Sequence, residues 1–410
     1  IRGSWGELGN CNTTAFYPFY QTMPTGVENS GWLINGKKPN TASAPGIVSA
    51  EMTWETVRSW NVGFDFGLLN NRLTGSFDYF VRNTLDMIGP APQLPATLGT
   101  TVPKVNNADM KAWGFEVEVS WRDRIKDFNY GVKFVLSDDQ RKVTRYPNEE
   151  LNRNQWYAGR MDGLVWGYET VGIAKTDAEM EAHLASLPNG GQSQLGSKWA
   201  AGDIMYKDLN GDGKISSGDG TLNDLGDLKV VANTQLRFKY GLTVDASWKG
   251  FDFSAFFQGV GKRDVVVGGP YFWGANGQGM WQAAAFKDHI DYFRPEDTES
   301  VFGPNVDAYY PRVIFGGGSS EGGKNTLTQS RYVQNGAYIR LKNLQLGYTL
   351  PSTITKKFAV NSLRVYVSGD NLWTGTKMRV FDPEVLGSTG DAGKAYPLAR
   401  VWSVGLNVNF

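Results

Sequence analysis

The stretch LRFKYGLTVDASWK, Leu236 to Lys249, decides the fold. Leu236, Phe238, Tyr240, Leu242, Val244, Ala246 and Trp248 share one parity; Arg237, Lys239, Gly241, Thr243, Asp245 and Ser247 share the other. Side chains alternate across a strand, so this is a strand with one apolar face and one wet, charged face. The next stretch repeats the pattern, with Phe251, Phe253, Ala255 and Phe257 set against Asp252, Ser254 and Gln258.

The same rhythm extends in both directions. SWNVGFDFGL places Trp60, Val62, Phe64, Phe66 and Leu68 on one face, and WGFEVEVSW places Trp113, Phe115, Val117, Val119 and Trp121 opposite Glu116 and Glu118. The chain ends on VWSVGLNVNF, with Trp402, Val404, Leu406, Val408 and Phe410 against Ser403, Gly405, Asn407 and Asn409. In AYIRLKNLQLGYTL the phase slips: Ile339 and Leu341 lie on one parity, Leu344, Leu346 and Tyr348 on the other. A β-bulge near Lys342 and Asn343 restores the register.

Ten such strands are expected, near 1–9, 54–69, 72–88, 112–122, 127–143, 234–248, 251–261, 337–350, 362–374 and 399–410. The turns LNN, RDRIKD and KG are short and PSTITKKFAVNS is slightly longer, whereas other connections, such as 144–233 and 262–336, are long. Short turns at one end and long loops at the other, in an all-β antiparallel chain, mark a transmembrane β-barrel of the outer-membrane type. Trp113, Trp121, Trp248 and Trp373 fall near strand ends, as interfacial girdles require. A soluble antiparallel protein also alternates, but its strands seldom carry Arg, Lys, Asp and Glu opposite a uniformly large apolar face. Ten strands are too few to enclose a space that needs such loops, so the chain reads as part of a larger barrel.

Composition narrows the function. Lys+Arg and Asp+Glu both total 41, so nothing suggests a nucleic-acid surface. The single cysteine, Cys11, excludes an internal disulfide and reads as a buried or inert thiol. The two histidines, His183 and His289, form no zinc pattern and read as ordinary loop residues. No nucleophile–base arrangement and no phosphate-cradling glycine loop is evident, so the reading is not an enzyme. The chain opens on Ile1 in what reads as mid-strand, which predicts that an N-terminal part precedes it.

DLNGDGKISSGD, Asp208 to Asp219, has the oxygen spacing of a calcium loop. Asp208, Asn210, Asp212, Ser216 and Asp219 supply side-chain oxygens, Lys214 its carbonyl, and Gly213 the sharp turn. The flanks GDIMYKD and GTLNDLGDLKVVANTQ lack helical apolar spacing, so this is no helix–loop–helix sensor. The expectation is one structural Ca2+ that orders a long outward loop, against the alternative of a metal-free polar turn.

Several phrases carry a family resemblance: IRGSWGELGN, WETVRSWNVGFDFGLLNNRLTGSFDYFVRNTLDMI, GDIMYKDLNGDGKI, YGLTVDASWKGFDFSAFFQGVGKRD, YIRLKNLQLGYTLP, LRVYVSGDNLWT and WSVGLNVNF. Together they resemble the SusC/RagA family of TonB-dependent transporters, outer-membrane nutrient importers of Bacteroidetes. The matches run in family order across residues 1–410. The resemblance implies the C-terminal portion of the barrel, about the last ten strands of about 22. It also implies import of glycans or oligopeptides, drive from TonB, and a SusD-like surface lipoprotein as a hinged lid. An N-terminal plug domain, a TonB-box and the remaining barrel strands normally precede such a segment and are not within these residues. The family's terminal strand, here ending on Phe410, is implied to be the signal read by the outer-membrane insertion machinery. A structural or adhesion barrel, and a soluble calcium-binding β-lectin, are the rival readings.

In the loop 262–335, Phe286, Ile290 and Phe293 have helical spacing and predict a short amphipathic helix over 279–294. Tyr271, Trp273 and Trp281 are candidate substrate-binding residues, as sugar-stacking platforms; packing against neighbouring loops or a lid is the alternative.

Overall fold

The alternating segments form ten long strands: β1 (Arg2–Asn10), β2 (Glu55–Leu68), β3 (Leu73–Ile88), β4 (Asn106–Ile125), β5 (Phe128–Arg145), β6 (Arg237–Trp248), β7 (Phe251–Lys262), β8 (Tyr338–Thr349), β9 (Ser362–Thr376) and β10 (Val401–Asn409). They make one sheet in which every strand lies beside its sequence neighbours, with β1 and β10 at the edges. Each falls where alternation places it; β4 departs most, starting at Asn106 rather than near 112. The computed structural model describes residues 1–11, 20–27, 32–43, 45–49, 52–89, 97, 102–276, 285–315, 320–386 and 396–410. No helix among the described residues is long and apolar enough to cross a membrane.

The chain divides into two compact units. The first comprises 1–63, 79–114 and 140–162. Here β1 runs antiparallel to β2 with Trp5 opposite Trp60 and Glu7 opposite Arg58. Glu55 is buried at 2% exposure. It accepts hydrogen bonds from Asn10 Nδ2 at 2.8 Å and the Ile88 amide at 3.1 Å, which offset its desolvation. Arg145 bridges Asp86 and Asp109, both at 2.7 Å. Cys11 is exposed, so of the two expectations, a buried or an inert thiol, burial does not hold.

The second unit comprises 64–78, 115–139 and 163–410. Its register sorts the side chains cleanly. Leu242 lies between Phe134 and Phe257, and Val244 between Val132 and Ala255. Leu346 continues that face between Phe253 and Val367, and Val404 and Leu406 pair with Val367 and Val365. On the other face Asp245 lies between Gly131 and Ser254, Gln345 between Ser254 and Ser368, and Asn407 opposite Arg364. The pairing skips Lys342: Phe256 pairs with Asn343, and Phe257 with Leu341. On the β9 side Leu341 pairs with Trp373 and Asn343 with Asp370, with Asn371 at φ 53°. This is the expected bulge, and it returns Leu344 and Leu346 to the apolar face shared by Leu341.

The long connections of this unit build a core of their own. Tyr168, Ile204, Tyr206, Ile215, Phe272, Phe293, Tyr310 and Tyr332 belong to one buried cluster. Two-stranded ribbons frame it: 164–168 with 228–233, 170–173 with 204–206, and 264–266 with 333–335. Helix α1 (Asp177–Ala185) is capped by Thr176, whose hydroxyl accepts the Glu179 amide at 3.1 Å. Fully buried Asp203 receives Arg312 at 2.7 Å, Asn325 at 2.8 Å and the buried Lys324 ammonium at 3.0 Å. A charge that deep persists only with partners of this quality.

Of the helix expected over 279–294, residues 279–284 lie outside the described residues, and 285–294 hold one 3-10 turn, Lys287–Ile290, in place of an α-helix. Phe286 and Ile290 stay 42% and 41% exposed while Phe293 is buried, so the three do not share a packed face. The Phe293 amide instead bonds the Tyr310 carbonyl at 3.0 Å. His289 is more than an ordinary loop residue. It is buried, its Nδ1 accepts the Phe286 amide at 3.0 Å, and its Nε2 lies 3.1 Å from the Phe272 carbonyl. His183 lies in α1, with Nε2 3.1 Å from Gln192 Oε1.

Candidate functional site

Three places carry candidate functional side chains. The first is the Asp208–Asp219 loop. It runs between the strands Ile204–Tyr206 and Leu228–Asn233, so it is flanked by extended chain and not by helices. Asp208 accepts the Gly211 amide at 2.7 Å and the Gly213 amide at 2.9 Å. Asn210 Oδ1 accepts the Asp212 amide at 3.0 Å, and Asp212 Oδ1 the Lys214 amide at 3.1 Å. Gly213 has φ 76°, a left-handed conformation that a side chain would strain.

The second half of the loop is held differently. Ser216 is buried and its Oγ accepts the Gly218 amide at 3.3 Å; Asp219 accepts the Thr221 amide at 2.7 Å. Asp227, which spacing did not single out, is fully buried and closes the loop. Its two oxygens accept the Leu209 and Ser216 amides, both at 2.7 Å. Burial pushes the Asp227 carboxyl above its ordinary range; the two amides oppose this, and nearby Asp208 and Asp212 add to it. Among the described residues no three His, Cys, Asp or Glu side chains are grouped to hold a metal. The side-chain oxygens of Asp208, Asn210 and Asp212 each accept an amide of the loop itself.

The second place is the aromatic loop. Trp273 is 6% exposed and packs edge-on against Tyr332 at 4.6 Å. It is part of the loop core, which is the packing role. Tyr271 stays 41% exposed and stacks on Phe286 at 5.5 Å, beside a cavity of about 330 Å³ that Val380, Phe381 and Leu386 also line. Trp281 lies outside the described residues.

The third place was not flagged by alternation. Phe256 stands on the polar face of β7, between Thr243 and Asn343. A Cβ on Gly241 would come 3.2 Å from Cε2 of its ring, so the ring reaches into the space that glycine leaves. Facing this region is the segment 378–386. Arg340, 2% exposed, grips Asp382 and Glu384, both at 2.7 Å, and Lys342 reaches Glu384 at 2.9 Å. Arg263 donates to the Pro383 and Leu386 carbonyls at 3.0 and 2.6 Å. Between segment and sheet lies a cavity of about 540 Å³, lined by Ser137, Phe256, Gln258, Pro383 and Glu384 among others. Phe410 is 86% exposed, one residue beyond β10.

Comparison with known proteins places this geometry. The family profile described as "TonB dependent receptor-like, beta-barrel" matches residues 1–249. TonB-dependent receptor P3 of Formosa agariphila is 27% identical over 100% of this chain and 39% of its own length. TonB-dependent receptor SusC of Bacteroides thetaiotaomicron is 23% identical over 100% of this chain and 37% of its own. The solved structure of the RagAB peptide transporter superposes with a TM-score of 0.72 at 22% identity, covering 100% of this chain and 40% of that one. The chain thus spans about two fifths of the length of these relatives.

Proposed function

Because the chain belongs to the TonB-dependent receptor-like β-barrel family, we propose that it forms the C-terminal wall of an outer-membrane importer of oligomeric nutrients. The observation that carries this is the two-faced meander: an apolar face continuous from β5 to β10, opposite a face of paired charges and amides. A continuous apolar band suits lipid contact, and a solvated inner wall suits passage of a polar cargo. The cargo is a glycan or an oligopeptide, and the chain acts as a transporter part rather than an enzyme. A plug domain and further strands complete the barrel, TonB supplies the drive, and a SusD-like lipoprotein forms the lid. The resemblance to the SusC/RagA family supports these partners. Exposed apolar loop residues, among them Tyr271, Phe286 and Ile290, offer a surface that a lid would cover.

We further propose that Asp208, Asn210, Asp212 and the Lys214 carbonyl hold one Ca2+, with Ser216 and Asp219 completing the loop. The ion would crosslink a loop whose ordering is entropically costly; Asp227 fastens the loop base without it.

The test of import is accumulation of labelled oligomers by cells carrying the full-length transporter. Uptake is expected to need both the gene and the proton gradient. Accumulation that survives an uncoupler would favour a passive adhesion barrel instead.

A further inference from the structure

The polar face of β5–β8 has one feature that a merely solvated wall does not need. Phe256 is a large ring among Thr243, Asn343, Ser254 and Gln258, residues that are neutral and carry both donors and acceptors. Gly241, having no side chain, leaves room for the outer atoms of this ring, with Val135 beside them. The ring borders the cavity of about 540 Å³ closed on its far side by Pro383 and Glu384. That volume lies within the range of about 300–1,000 Å³ in which ligand pockets fall.

The charges around the cavity are engaged, Arg263 with the Pro383 and Leu386 carbonyls and the others with one another. Lys239 bonds Asp139 at 2.9 Å, Arg340 holds Asp382 and Glu384, and Lys342 holds Glu384. A charged ligand would have to break one of these pairs to be recognised. A neutral ligand need not. What remains is a flat apolar ring flanked by amides and hydroxyls. A sugar ring matches it, with C–H groups on its face and hydroxyls around its rim. An extended peptide would ask instead for a row of unpaired backbone amides, and here the sheet amides are spent on strand pairing.

We infer that the hollow between Phe256 and the 378–386 segment is a binding subsite for a neutral oligosaccharide. Phe256 is its platform, and Gln258 and Ser137 are the hydrogen-bonding groups at its rim. The segment held by Arg340, Lys342 and Arg263 fixes the width of the hollow and so the thickness of the chain it admits. This deepens the importer reading and rests on it.

The test uses the full-length transporter, purified with its lid, and titration calorimetry against gluco-, xylo-, manno-, galacto- and fructo-hexasaccharides, with hexa-alanine as the peptide probe. At least one hexasaccharide should bind. Phe256→Leu, which keeps an apolar side chain, should weaken that binding about tenfold, on the scale of aromatic contacts. Phe256→Trp should retain it, and Gln258→Leu should weaken it independently of any repacking around the ring. Binding of no hexasaccharide overturns the carbohydrate assignment, as does binding unaltered by Phe256→Leu. Binding of hexa-alanine that depends on Phe256 assigns the hollow to peptides and overturns it too. Labelled uptake separates the layers. Gradient-driven uptake untouched by Phe256→Leu sinks the subsite and leaves the importer, whereas uptake indifferent to the gradient sinks the importer.

Discussion

The ammonium of Lys324 sits 3.0 Å from the Asp203 carboxylate, and neither side chain has any exposure. Lys324 also lies over the Trp199 ring at 4.5 Å, and Asp203 takes a two-pronged contact from Arg312. Removing one partner of a buried pair costs up to about 3–5 kcal/mol, and without Asp203 the buried Lys324 ammonium keeps the Glu321 carboxylate at 3.1 Å. Asp203→Ala should therefore loosen the loop core, seen as rapid proteolysis between residues 163 and 336. Heat-modifiable migration of the barrel should be unchanged. Loops as resistant as the wild type's would show that the pair contributes nothing.

Leu242 and Thr243 point to opposite faces of β6, beside Phe257 and Phe256 respectively. An arginine at 242 should cost about 2–4 kcal/mol at mid-bilayer depth, and one at 243 little. Spin labels at 242 and 243 should respond to lipid-soluble and water-soluble quenchers respectively. Equal responses would mean the register is wrong.

Hydrogen bonding by the Ser197 hydroxyl holds the Glu321 carboxyl down at about 2, with the Ser197 amide and Lys324 adding to it and desolvation opposing. Its ordinary value is 4.5. Ionised Glu321 therefore stabilises the loops fully above pH 4.5, and the contribution drains away as pH falls toward 2. Amide exchange around 197–199 should accelerate over that interval, and Glu321→Gln should abolish the acid step while exchanging faster at neutral pH. A wild-type profile flat from pH 5 to 2 would contradict it.

Replacing Asp208 and Asp212 by Ala should remove calcium binding and free the loop, leaving the sheet intact. Anomalous scattering in millimolar calcium should place one ion beside Asp208 in the parent and none in the variant. Co-purification of the lid lipoprotein should fall with it. A parent loop without an ion disposes of the metal; undiminished lid binding disposes of its role.

Deleting Phe410 should lower insertion into the outer membrane without lowering synthesis, because the residue directly follows the alternating strand β10. Heat-modifiable yield equal to that of the intact chain would rule this out.

The sheet was legible because its physics is local. A strand at a lipid boundary must alternate, and Lys239 to Trp248 alternates and pairs on both sides without a break. Even the slip at Lys342 announced itself, since Ile339 and Leu346 cannot share a face without an extra residue. The loops were less legible because their packing is not periodic. Helix α1 has a local sign, Thr176 three residues before Glu179, but the polar residues around it carry the same chemistry. Asp227 had none: its role depends on a fold that returns it beside Leu209 and Ser216. Phe256 was hidden by the same alternation that revealed its strand, since two adjacent phenylalanines, Phe256 and Phe257, blur which face each takes.

Each long strand pairs with the one before or after it in sequence, while the loop core joins Tyr168 to Gln329 and Asp203 to Lys324. These two kinds of contact have different folding kinetics. The hairpins β2–β3, β4–β5 and β6–β7 each close a short turn, but β5 with β6, and β7 with β8, must close the long connections that carry the core segments. These three hairpins can therefore form while the loops are still searching. A substitution that spoils the loops would pass an assembly check that inspects the wall alone, and would yield an inserted protein that is silent in function.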